Sequence, residues 1–198
     1  RSSRRSGELS PVAIPLGLSG WAEPLQAEME ATLETAGFFC ISSPAGGDEA
    51  GRASTALVPG AAVGVLMVRG DANLAAIGTV TYVDEQNVLA FGHPMIQGGR
   101  VAFPMTTAWI HGVIATNAVS IKMGAPITTV GGIFDDRRAG VAGVIGGSAD
   151  LLPIRVTMAE EGKDARQYRY EVVRHPFLTP FFLPWSVSNS YLAAGWSM

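Results

Sequence analysis

Four residues carry the chemistry that this chain could do: His93, Asp136, Ser19 and Cys40. His93 stands in "VLAFGHPMIQGGRVAFPM", residues 88 to 105, between Gly92 and Pro94 at the end of an apolar run. A histidine there can be a half-buried structural residue bonded to a loop carbonyl, a metal ligand, or a base projecting from a rigid strand end with space for substrate around it. The other two histidines, His111 and His175, stand too far off for the tight spacings of zinc motifs, and there is one cysteine, so the metal option is set aside. Asp136, in "GGIFDDRRAGVAG", lies 43 residues after His93, a workable separation for two strands of one barrel. A carboxylate there can accept the second N–H of a histidine base; the alternative is a charged β-turn in which Asp135 and Asp136 pair locally with Arg137 and Arg138.

A nucleophile is harder to find. "GLSGW" places Ser19 on a Gly-rich turn, but in a Pro-rich lead-in just before a helix, where turn or capping duty explains it. Ser148 in "GGSAD" is a turn serine. Cys40, in "GFFCIS", has the apolar setting of an inert buried thiol. The glycine-rich strings neither open a helix nor match a nucleotide-binding spacing, so no cofactor is expected.

The elements that must position these groups are mostly strands. With 47% hydrophobic and 16% charged residues among 198, the chain is globular, and its net charge of -3 carries no basic stripe for nucleic acid. No apolar run is long enough for a membrane-spanning helix. The sequence opens on "RSSRR", without Met and without a secretory pattern, and is expected to be a fragment of a longer protein.

Residues 22–36 predict a helix: Ala22, Leu25, Met29, Leu33 and Ala36 share one face, and Gly37 is its stop. From residue 62 onward short β-rich runs follow at intervals of about ten residues: 62–71, 75–84, 87–93, 108–116, 127–135 and 139–147, then a hairpin over 153–174. Such a pattern predicts an all-β barrel or sandwich, and 24 glycines favour the barrel, whose corners and bulges need residues without a Cβ. The expected division is a lead-in with helix and linker over 1–60, a β-barrel domain over 61–175, and a Pro-rich C-terminal arm over 176–198. Pro176, Pro180 and Pro184 predict that this arm is extended rather than helical.

"GTVTYVDEQNVLAFGHPM", residues 78 to 95, resembles the stretch around the catalytic histidine of the SpoIVB sporulation-peptidase family, a Gly-Thr-x-Thr strand followed by a strand ending in Gly-His. "FPMTTAWIHGVI" and "GAPITTVGGIFDDRRAGVAG" extend the resemblance over residues 57 to 147, towards the larger bacterial proteins that carry this peptidase domain. The resemblance implies a serine endopeptidase of chymotrypsin-like, two-barrel design, of which this chain would be one barrel with an N-terminal helix. It implies His93 as general base, a polypeptide substrate (itself included) and a location outside the cytoplasm. The family's serine motif, Gly-Met-Ser-Gly-Ser-Pro, is absent here. In the larger proteins it precedes the Gly-His segment, so the serine is expected upstream of Arg1, in another part of the same protein. In the sporulation enzyme the acidic partner lies near the serine, which leaves Asp136 without family support. The rival expectation is an inactive barrel that serves as a binding or scaffold module of the cell envelope.

Overall fold

The computed structural model describes residues 13–42, 56–115, 120–160, 162 and 164–196. Its elements in chain order are β1 (Ile14–Ser19), α1 (Glu23–Thr35), β2 (Phe38–Ser42), β3 (Ala62–Gly70), β4 (Asn73–Asp84), β5 (Asn87–Ala90), β6 (Gly99–Ala115), β7 (Ser120–Arg137), β8 (Gly140–Ile145), β9 (Leu151–Met158), β10 (Arg166–Val173) and α2 (Thr179–Ala193). The protein is mainly β, as expected, and all ten strands belong to one hydrogen-bonded sheet.

Six of those strands close on themselves. β3 pairs with β4, β4 with β5, β5 with β8, β8 with β7, β7 with β6, and β6 returns to β3, every pair antiparallel. The fourth strand of this set lies beside the first, which is Greek-key order. Closure leaves no free edge within the ring, and side chains such as Val63, Val65, Phe103, Met105 and Ile133 are wholly buried. Glycine serves this closure where strands crowd: a Cβ on Gly131 would lie 2.2 Å from the Val144 carbonyl oxygen.

β3 and β4 also reach beyond the ring. The first residues of β4 pair with β1, and the last residues of β3 pair with β10, past a register shift between Leu66 and Val68. A bulge there turns the strand from one set of partners to the next. β3 is covered on both faces, so Val63 to Val68 are all buried, without the alternation of a half-exposed strand. β1 and β2 run parallel, so the chain must cross over between them, and α1 is that crossover. The helix buries Leu25, Met29 and Leu33, as its spacing predicts, and ends before Gly37 at φ 84°. β9 and β10 form the expected hairpin on the far side of β3.

The C-terminal segment corrects the sequence reading. Residues 179–193 are a helix, not an extended arm. Pro180 stands in the first turn, where its missing N–H has no role, and Pro184 lies on the exposed face. Burial outweighs the helix-breaking tendency: Leu178, Phe182, Trp185, Ser186, Asn189 and Ser190 form one stripe against the sheet. Asn189 ties this helix to the rest, accepting from the Ala22 N–H (2.8 Å) and donating to the Gly20 carbonyl (3.0 Å). Asn189→Ala strands both backbone groups, and a loss of about 2–3 kcal/mol in stability is expected, measured as a lower urea midpoint at unchanged slope; the same change at exposed Ser148 is expected to have no such effect.

Candidate functional site

The Gly-His segment follows β5 as a loop that opens on an unusual backbone turn. Phe91 has φ 71°, and the Gly92 N–H donates to the Ala90 carbonyl at 2.9 Å, a three-residue γ-turn of the rare, strained kind. For a residue as bulky as phenylalanine this conformation costs about 1–3 kcal/mol, so something must hold it. Two things do. The Phe91 N–H bonds to the Thr79 carbonyl at 2.9 Å, and the Phe91 ring lies over Gly78 so closely that a Cβ there would sit 2.6 Å from it. The glycine of "GTVT" is thus the seat of the phenyl ring. His93 leans edge-on against that same ring, centroids 5.7 Å apart and planes at 80°.

The imidazole itself is exposed. Its Nδ1 lies 2.9 Å from the carbonyl oxygen of Pro94. A carbonyl only accepts, so Nδ1 is the donor, and in the neutral form of the ring Nε2 keeps its lone pair. That is the tautomer a general base needs, set here by a backbone carbonyl.

Asp136 has a different place from the one expected. It is completely buried, and it makes no hydrogen bond to His93. Its Oδ1 accepts from the Met95 N–H (2.8 Å), and its Oδ2 from the N–H groups of Ile96 (2.8 Å) and Gly98 (3.2 Å). Three backbone donors satisfy the carboxylate and pin the loop that begins at His93. The reason that Asp136 points inward and Asp135 outward is a register shift in β7 between Ile133 and Asp135. Ile133 is buried, so strict alternation would bury Asp135; the bulge passes that role to Asp136. Asp135 forms the local ion pair of the charged-turn reading, with Arg137 at 2.9 Å.

The other candidates are apart from His93. Ser19 ends β1 and faces Asn73, while His93 follows Ala90, which pairs with Val80. Seven residues along β4 separate the two, about 23 Å of strand. "GLSGW" has a packing explanation: Gly20 takes φ 74°, and a Cβ on it would meet the Asp71 carbonyl oxygen at 2.4 Å. Ser148 follows the end of β8 that lies away from the Val141–Ala90 pair beside His93. Cys40 is partly buried, and its thiol is pushed up to about 12 by desolvation and then by Glu30, as suits an inert residue. Among the described residues no hydroxyl bonds to His93.

Sequence reasoning passed over His175. It is buried between Phe103 and Phe177 (centroids 5.8 and 5.9 Å), and its Nδ1 accepts from the Phe177 N–H at 3.3 Å. Burial lowers its pKa, partly opposed by Asp136. His175 also lines a cavity of about 760 Å³ between α1, α2 and the loop after His93. The signal for it in the sequence was faint: a His-Pro pair in an apolar tail.

No family model, no curated protein and no solved structure matches this chain. The site therefore speaks through its own geometry.

Asp136→Ala is expected to cost at least about 3 kcal/mol, because three N–H groups lose a charged acceptor. Asp136→Asn keeps an acceptor for part of the set and is expected to fall between. Hydrogen exchange reads the cause: amides of Met95, Ile96 and Gly98 should speed up well beyond the global change, and equal protection in both variants would show that the carboxylate does not hold the loop.

Proposed function

We propose that this chain supplies the general base of a serine endopeptidase of the SpoIVB type, with the closed strands as a chymotrypsin-like barrel and His93 at its mouth. The observation that carries the reading is the 2.9 Å approach of the exposed His93 ring to the Pro94 carbonyl through Nδ1: in a neutral imidazole this contact calls for the proton on Nδ1 and leaves Nε2 to take a proton. The closed six-strand Greek-key order and the seating of Phe91 on Gly78 add support, since both fall in the stretch that resembles the family.

In this reading a serine from another segment of the protein approaches Nε2. Its hydroxyl proton passes to Nε2 as Oγ bonds to the peptide carbonyl carbon, and the imidazolium returns the proton to the leaving amine. Water then attacks the acyl-serine, with His93 again as base. The Pro94 carbonyl does part of the work of a triad acid: it holds the tautomer, though as a neutral dipole it stabilises the imidazolium less than a carboxylate would. Asp136 acts through the loop as a positioning residue. The substrate is a polypeptide, this protein included, and the proposed location is outside the cytoplasm.

A second reading, an inactive barrel serving as an envelope scaffold, draws on the lack of any described hydroxyl at His93. The full-length protein separates the two. Self-processing, or labelling by a fluorophosphonate probe, is expected to fall by on the order of 10³-fold in His93→Ala and to be unchanged in Ser19→Ala. Unchanged processing in His93→Ala contradicts the base assignment, and a wild-type protein that neither labels nor processes favours the scaffold.

A further inference from the structure

The cavity beside the Gly-His loop has a composition that its structural neighbours do not require. Its wall is mostly apolar, from Leu33 and Phe38 on one side to Phe182 and Trp185 on the other, and its volume of about 760 Å³ is in the range of ligand sites. Two aromatic rings stand at its rim with much of their surface in water: Phe177 is 76% exposed and Phe181 47%. Exposed phenylalanines beside a formed apolar cavity are the composition of a binding surface.

The charge of the lining is one-sided. Arg100 and Arg174 line the cavity with His175, and among the described residues no acidic one does, although the chain as a whole has 17 acids against 14 lysines and arginines. Neither guanidinium group has an ion-pair or hydrogen-bond partner among the described residues. Asp136, the acid nearest in effect to His175, has both oxygens bound to backbone N–H groups. The surface thus offers apolar walls and two guanidinium groups with no side-chain partner among the described residues, which suit an apolar body carrying a carboxylate.

Position selects the source. Ile96, Gln97 and Gly98 belong both to the loop held by Asp136 and to the cavity wall. Ile96 is three residues from His93, at most about 11 Å of chain. An extended peptide advances about 3.3 Å per residue, so a peptide bond at His93 would place a side chain in the cavity about three residues away. We propose that this cavity is a subsite that takes a bulky apolar residue of the polypeptide substrate, next to an acidic residue that meets Arg100 and Arg174. The term substrate rests on the peptidase reading; the binding does not.

The test is fluorescence anisotropy with labelled octapeptides, added to the full-length protein, that carry Phe-Glu, Ala-Glu or Phe-Gln in an otherwise Gly-Ser background. The Phe-Glu peptide should bind at least about tenfold more tightly than the Ala-Glu peptide and about fivefold more tightly than the Phe-Gln peptide. Phe181→Ala should abolish the first preference, and Arg100→Ala with Arg174→Ala the second; all three side chains lie at the surface, so the core is untouched. His93→Ala should leave these affinities unchanged even where it stops cleavage, so a failed peptidase reading and a failed subsite are told apart. Equal binding of the three peptides overturns the proposal. So does displacement of nothing but a fluorescent fatty acid by dodecanoate, which would assign the cavity to acyl chains.

Discussion

Asp136 is the group on which the site depends. A carboxylate with no exposed surface is expensive to bury, and its cost is offset only if donors satisfy it. Here three backbone N–H groups of one loop, at Met95, Ile96 and Gly98, provide them, so the same contacts that make the buried charge tolerable give the loop its shape. The Gly-His segment could otherwise open into many conformations, since it has four residues of positive φ in Phe91, Gly92, Gln97 and Gly99. Strain on one side and a charged clamp on the other leave it a single course. His93 inherits that course, with the Phe91 ring behind it and the Pro94 carbonyl at its Nδ1.

The ring of strands gives the clamp its footing. β7 presents Asp136 beneath the loop only because of its bulge, and β7 is held on both edges, by β6 and by β8. On the outer side, β10 runs on into His175, whose ring rests on Phe103 of β6, so α2 and the cavity are tied to the same end of the strand ring. The loop after His93 is thus the partition between an exposed imidazole and a sheltered groove. That shared wall is what makes one extended ligand able to touch both.

Much of the scaffold was legible and the fine wiring was not. Most strands from residue 62 onward announce themselves as short β-rich runs between glycine-rich turns, and α1 by its spacing of Leu25, Met29 and Leu33. α2 escapes the same test because half of its buried stripe is Ser186, Asn189 and Ser190, polar residues that find partners inside. Prolines reinforced the wrong reading, although their exposed positions make them tolerable. His93 could be picked out from its flanking glycine and proline. The role of Asp136 could not, since one bulge decides which of two adjacent carboxylates enters the protein, and nothing in the local sequence marks the bulge. Parity along a strand is a property of pairing, and pairing is settled by partners far away in the chain.

In the proposed reading a clamped loop, rather than a carboxylate on the ring, presents His93 as a base with an unprotonated Nε2. Two-bond proton–nitrogen correlation spectra of protein labelled with ¹⁵N-histidine observe this directly at neutral pH. The expected result is the Nδ1–H tautomer for His93, with an unprotonated Nε2, and loss of that preference in Asp136→Asn. A His93 ring with its proton on Nε2, or one indifferent to Asp136, would contradict it.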